Sequence, residues 1–446
     1  MSTAEITVTN ELLDQWATDP NGPVALHLKQ KLLPVEGEGG VIFPPTYADI
    51  GYNIDTLSDG TRVATIDSVG SQANRMEPMF KSVGKNDKGE ELNPLAALVP
   101  QVEIILNPVP DDKDAKKKLV KGLASSQEIA IELEKKEIDE LKQLWIANLE
   151  RRQSLLDLAH RSADAVVKAT PTLLPHINNA FQELNRNGNV TPLCAIAPTS
   201  LLFGVWDSRD GTGEKRPRLV RSIIRAWDVE PLFSAAQFNS AWKSLDEAQQ
   251  EELEKEAKAK KVKLSEKGFA DAPAVFRKVS QNAAKQMTEF RNGSPNPERR
   301  TLGGVLAKGP IYRDVTINLV ALRALRGANG ETEQIRKYLL SLALLAATSE
   351  LELSLREGCL LRYADEKDEW KMVPRRGAPI SITGFPGRDD LVKLATTAAE
   401  PFKARWPKEK DNAGEERPIP LEHKFDLAVA KKIVAKKDAE EETTTP

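Results

Sequence analysis

Lys215, Arg216, Arg218, Arg221 and Arg225 fall within eleven residues that hold no acid, with Leu219, Val220, Ile223 and Ile224 threaded between them. Forked guanidinium groups match phosphate oxygens, and interleaved apolar residues anchor such a strand in a sheet. The pattern fits a grip on a nucleic-acid backbone, although a charged edge strand protected against aggregation has the same composition. Arg299 and Arg300 ahead of Gly303 and Gly304, and Arg375 and Arg376 ahead of Gly377, add basic spots where a ligand can approach the main chain closely.

Signals for acid–base or metal chemistry are weaker. The four histidines, His27, His160, His176 and His423, are scattered, and only His160 and His176 fall on neighbouring predicted helices. Around His160 and Arg161 the simplest reading is an exposed helix face, with Asp157 and Asp164 pairing Arg161 at four and three residues' separation. Asp207 and Asp210 lie on a Gly-rich stretch and are candidate metal ligands, but two carboxylates on such a loop are usually just solvated. No H-E-x-x-H, G-x-S-x-G or P-loop pattern occurs; GTGEKR at 211–216 lacks the Lys-Ser/Thr pair that cradles phosphate and magnesium. Cys194 and Cys359 stand 165 positions apart, which excludes a zinc knuckle and a disulfide framework and suits a reducing interior. No cofactor is expected.

The 446 residues allow one large domain with insertions, or two to three smaller ones. Lys plus Arg number 63 against 66 for Asp plus Glu, a net charge of −3, so no global basic field draws the chain to nucleic acid or an anionic membrane. Any such binding must come from local patches. With 40% hydrophobic and 29% charged residues the composition is that of an ordinary globular chain. The N-terminus lacks the basic start and apolar run of a signal peptide, and no stretch approaches the ~18 apolar residues of a membrane span. A soluble cytoplasmic protein is expected.

The elements that must position these residues are legible in part. Val24–Gln30 and Val41–Phe43, separated by turn glycines, suggest a hairpin. Strand-like Arg62–Asp67 runs into SVGSQANRMEPMF, where Ser68 or Ser71 caps a short helix. Val102–Leu106 is a further strand candidate. The stretch 110–140, with nine acidic and seven basic residues, and 240–267, with seven of each, read as exposed insertions. Ile311, Val315, Ile317 and Leu319 alternate with Tyr312, Asp314, Thr316 and Asn318, as a sheet with one buried and one open face requires. Ile335, Leu339, Leu342 and Leu345 form one helical stripe, and strand-like Leu351–Tyr363 follows, so the C-terminal half suits helices layered on a sheet. Beyond Trp406 the chain is charged and is expected to fray, or to order only on contact.

Longer strings carry more information: PPTYADIGYNID at 44–55, IDSVGSQANRMEP at 66–78, LAHRSADA at 158–165, and SLLFGVWDSRDGTGEKRPRLVRSIIRAWDVEPL at 200–232. Together they resemble the CRISPR-associated RAMP-superfamily protein that forms the backbone of type I-G (formerly I-U) Cascade, the seventh-class Cas subunit, over about residues 24–363. The resemblance implies an α+β fold: a modified RNA-recognition-motif, ferredoxin-like palm with an antiparallel sheet, whose helical insertions act as fingers and thumb. It divides the chain into a first part of the palm at 1–109, a charged insertion at 110–140, and helices, thumb-like loop and basic strand at 141–239. A charged helical insertion at 240–300, the rest of the palm at 301–405 and a charged tail at 406–446 complete it.

What the resemblance implies for function is a non-catalytic subunit that polymerises along CRISPR RNA and supports pairing of the guide with target DNA. Base pairing then supplies specificity and the protein supplies a positive channel, as in guide-dependent effectors of another class. Its implied partners are CRISPR RNA, target DNA, further copies of itself, the large subunit, the repeat-RNA-processing subunit and the helicase-nuclease, with no membrane. Ser71, Gln72, Asn74 and Arg75 are placed near the guide at a strand-to-helix turn. Lys215, Arg216, Arg218, Arg221 and Arg225 lie along the RNA or a thumb loop, with His160, Arg161, Arg299 and Arg300 as further candidates. The aromatic stacking pattern of an RNA-recognition motif is absent, so a backbone grip is expected rather than base stacking. The alternative is a metal-dependent endoribonuclease of the same superfamily using Asp207 or Asp210. The acidic insertion at 110–140 and the acidic tail are expected to face outward or to meet a basic surface of the next subunit, and a head-to-tail contact of the second kind builds an open filament. A variant lacking 110–140 is therefore expected to assemble poorly on RNA, as read by sedimentation of the complex; normal assembly would remove that role from the insertion.

Overall fold

The computed structural model describes residues 5–47, 50–86, 88–106, 151–157, 165–204, 218–234, 245–262, 264, 301–328, 330–403, 408–410, 416–418 and 421–442. In chain order the elements used below are β1 (Glu5–Thr7), α1 (Asn10–Thr18), β2 (Ala25–Pro34), β3 (Val41–Ile42), β4 (Ile54–Thr56), β5 (Arg62–Asp67) and α2 (Val69–Met76). Then come α3 (Leu174–Asn187), β6 (Val220–Trp227), β7 (Val229–Ser234), α4 (Glu247–Ala259), β8 (Thr301–Ala307), β9 (Ile311–Asn318) and α5 (Thr332–Thr348). The chain continues through β10 (Cys359–Tyr363), β11 (Glu369–Val373), β12 (Ile380–Gly384) and α6 (Arg388–Lys403).

Period-two alternation builds the central sheet. In β2 the side chains of Leu26, Leu28, Gln30 and Leu32 are buried while His27, Lys29 and Lys31 are not, and β9 alternates likewise. The strand order is β1-β12-β11-β2-β9-β6-β5-β4, antiparallel throughout except for β1 on β12. Within it, β2 and β6 run parallel with β9 between them, and β9 and β11 run parallel with β2 between them. Helices lie in both crossovers, so the inner four strands form two interleaved βαβ units. Strands β7, β8 and β3 form a separate three-stranded sheet.

One face of the sheet carries the core. Leu26, Leu28, Val315 and Ile317 pack against α1, α2, α5 and α6, and Leu32, Ile224, Ala226 and Ile311 pack with Ile42 and Val305 of the smaller sheet. Every residue of α5 from Tyr338 to Ala347 is buried, where one apolar stripe was expected. It is enclosed by the sheet on one side and by α1 and α6 on others, with the Tyr338 and Phe402 rings stacked 4.9 Å apart.

Other expectations shift for identifiable reasons. The 24–43 hairpin does not form: β2 finds β9 and β11 on its two sides, so β3 pairs with β8 instead, Val41 opposite Leu306. The strand expected over 351–363 is broken into Ser354–Arg356 and β10 by Gly358, at φ +70°. The stretch beyond Trp406 supplies a strand, Glu422–Lys424, parallel to Glu103–Ile105, where Arg152 bonds both Glu103 and Glu422. The exposed helix expected in the second insertion is α4, started by a capping box between Asp246 and Gln249. The 110–140 insertion lies outside the described residues.

A polar chain runs through the core face. Fully buried Asp67, at the end of β5, accepts from Ser71 Oγ (2.7 Å), Gln72 Nε2 (2.7 Å), Arg75 Nε (3.1 Å) and Arg356 Nη2 (3.3 Å). The Gln72 carbonyl in turn accepts from Ser222 of β6 (2.8 Å) and from Arg313 Nε of β9 (3.2 Å). Arg313, also fully buried, donates to Gln30 of β2 at 2.5 Å, and burial pulls its pKa below the ordinary arginine value. Removing one partner of a buried charged cluster is strongly destabilising because the others stay buried. Asp67→Asn should therefore cost roughly 3 kcal/mol, near the low end for such clusters because Arg75 and Arg356 are partly solvated. The urea midpoint checks this; a change below about 0.5 kcal/mol, the size of an ordinary surface substitution, would contradict it.

Candidate nucleic-acid interface

The turn from β5 into α2 is built as the sequence predicts. Ser68 caps the helix, accepting from the Ser71 amide at 3.3 Å, and its extended backbone lets the chain leave the strand and enter the helix within one residue. The chemistry of this turn points inward, however. Ser71 Oγ and Gln72 Nε2 donate to Asp67, the Gln72 carbonyl is taken by Ser222 and Arg313, and Gln72 has no exposed surface, so its side chain cannot reach a ligand. Arg75 divides its guanidinium between Asp67 and the Leu355 carbonyl (2.7 Å), with about a quarter of the side chain exposed. Of the four, only Asn74 is exposed outright.

The basic strand divides in the same way. Arg218, ahead of β6, donates to the Val69 carbonyl at 2.8 Å and is half-buried, which lowers its pKa from the ordinary value; it braces the α2 turn. Arg221 and Arg225 alternate with buried Ser222, Ile224 and Ala226 and project from the opposite face of the sheet. Among the described residues neither meets a carboxylate within ion-pair distance. His160, Arg161, Lys215, Arg216, Arg299 and Arg300, and also Asp207 and Asp210, lie outside the described residues.

Register shows what surrounds Arg221 and Arg225. Arg225 lies opposite Tyr312, which lies opposite Lys31; Arg221 lies opposite Thr316, then His27, then Lys371 of β11. Between these two rows runs a third, Ile223, Asp314, Lys29 and Glu369. With neighbouring strands ~4.8 Å apart, the open face presents two cationic rows flanking a mixed one. Some of this charge is already paired. Lys31 contacts Glu366 at 2.6 Å, which holds its ammonium more firmly protonated, His27 meets Asp314 at 3.2 Å, and Lys371 meets Glu369 at 3.1 Å. The Lys29 ammonium sits 3.8 Å from the centre of the Tyr312 ring.

His27, Lys29, Lys31, Tyr312 and Lys371 share this candidate face and were not singled out as binding residues from the sequence. For three of them the signal was present: His27, Lys29 and Lys31 alternate with Leu26, Leu28 and Gln30 in the same period-two pattern that marks β9. Lys371 is different, since its place beside His27 depends on β11 pairing with a strand more than 300 residues earlier.

No helix among the described residues is long and apolar enough to cross a membrane, and no group of three His, Cys, Asp or Glu side chains among them is placed to hold a metal ion. Burial raises the Cys359 thiol to about 11 and pushes Cys194 higher still, so neither is a ready nucleophile at neutral pH.

No curated protein matches this chain. A solved structure described as a CRISPR RNA-guided surveillance complex, pre-nicking, is similar at 11% identity, covering 93% of this chain and 99% of that one, with a TM-score of 0.29. Residues 26–231 match the model of a family described as CRISPR-associated protein GSU0053. That stretch runs from β2 into β7 and holds both the α2 turn and the basic strand.

Proposed function

We propose that this chain is a non-catalytic backbone subunit of a type I-G CRISPR surveillance complex, polymerising head to tail along CRISPR RNA and supporting guide pairing with target DNA. The observation that carries the reading is the open sheet face, where Arg221 and Arg225 stand exposed or half-exposed beside Lys29, Lys31 and Lys371. Point cations on a rigid sheet hold phosphates without reading bases, which suits a subunit whose specificity resides in its guide. The inner strand order β11-β2-β9-β6 with its two interleaved crossovers supports a ferredoxin-like, RNA-recognition-motif palm; β7 and β8 are an elaboration between its second and third strands, joined by β3 from the connection between its first and second. Lys29 against the Tyr312 ring occupies the aromatic surface that such a palm otherwise offers to a base, which favours backbone grip on this face. Under this reading the partners are further copies of the chain, the large subunit, the repeat-RNA-processing subunit and the helicase-nuclease, in the cytoplasm.

The test is equilibrium binding of the full chain to its CRISPR RNA across a salt series. Affinity should fall linearly with salt on logarithmic axes, and Arg221→Ala with Arg225→Ala should flatten the slope by about 1.4, the value for two lost single-strand phosphate contacts. The same pair should leave the urea midpoint unchanged. A double variant with the wild-type slope would move the RNA off this face; cleavage of complementary RNA lost in Asp207→Ala would replace the reading with an endoribonuclease.

A further inference from the structure

The string at 44–55 has no part in the interface described above, yet it adjoins an unusual side chain. Aromatics make up only 5% of the chain, and among the described residues the exposed ones are Phe43 and Tyr47, each 38% accessible. The Phe43 ring is fixed from below by main chain. A β-carbon on Gly358 would stand 2.6 Å from ring atom Cδ2, and one on Gly304 would stand 3.4 Å from Cε2. Both glycines hold left-handed φ values, +70° and +95°, so each is bare for conformational reasons as well as for space.

The backbone of Phe43 is clamped too. Its amide donates to the Gly358 carbonyl at 3.0 Å, and its carbonyl accepts from Arg356 Nη1 at 3.4 Å. The same guanidinium reaches the Ile66 carbonyl at 2.9 Å and Asp67 at 3.3 Å, where Arg75 also binds. Arg75 and Arg356 thus share one carboxylate and keep one positive charge in excess, with about a quarter of each side chain accessible. A groove of about 710 Å³, lined by Lys31, Glu38, Leu306, Lys308 and Tyr312 among others, leads from the open sheet face to β8, where Leu306 pairs with Val41.

We propose that Phe43 is a nucleobase-stacking position: one unpaired base of the bound RNA lies on its ring while an adjacent phosphate meets Arg356 and Arg75. Every base has a π face, so such a contact adds affinity without sequence preference, and an immobilised ring loses little freedom when the base arrives. The proposal rests on the RNA-coating reading above and adds to it a base contact away from the open face.

The experiment compares the full chain on two RNAs of equal length, oligouridine and the same sugar–phosphate backbone with abasic sites. Phe43→Leu should bind oligouridine about tenfold more weakly than wild type while binding the abasic strand equally well, and Phe43→Trp should restore the oligouridine affinity. Equal melting curves of the three proteins keep the comparison clean. Unchanged oligouridine affinity in Phe43→Leu overturns the stacking site, and if self-association falls in its place the ring belongs to a contact with a second copy. Wild-type protein that binds neither strand overturns the RNA-coating reading itself. Binding of both strands with no effect of Phe43→Leu leaves that reading standing and removes only this site.

Discussion

Asp67 is a carboxylate with no exposed surface, and the centre of the molecule is arranged to hold it. It lies at the end of β5 and is bonded by Gln72 of α2, which also takes donors from β6 and β9; Arg313 of β9 then reaches Gln30 of β2. One polar chain therefore touches four strands and the helix that crosses them. A slip of one residue in any of these strands would turn its member of the chain to the wrong face and leave a buried charge unmatched. Buried networks of this kind are rarely worth more than a well-packed apolar core. Their contribution here is to permit one register only.

That register decides which charges are available to a partner. Arg75, Arg218, Arg313 and Arg356 are engaged on the core side or at its rim, while Arg221, Arg225, Lys29 and Lys371 emerge on the other face because side chains alternate. A chain with a net charge of −3 can thus offer a local cationic surface, because strand alternation gathers these side chains on one face. Phosphate binding at such a surface depends on local geometry far more than on the sum of charges.

The strict alternation of β9 was legible from sequence, as was the Ser68 cap, because each depends on neighbours within a few residues. The buried surround of α5 was not. A helix enclosed on several sides loses its stripe, and Ala343, Ala346 and Ala347 say nothing about direction until the partners are known. The role of Gln72 was misread for a similar reason. A polar residue after a strand looks like a ligand-binding group, and only the arrival of Arg313 and Ser222 from more than 140 residues away shows that Gln72 is a core residue. The pairing of Glu422–Lys424 with Glu103–Ile105 spans over 300 residues and leaves no local trace.

Mapping of RNA–protein crosslinks on the full chain bound to its own CRISPR RNA tests the central claim most directly. Crosslinked peptides should contain Lys29 to Lys31 of β2 and Arg221 to Arg225 of β6, the two strands that flank β9 on the open face. Crosslinks absent from both peptides and gathered on α6, behind the sheet, would contradict the account.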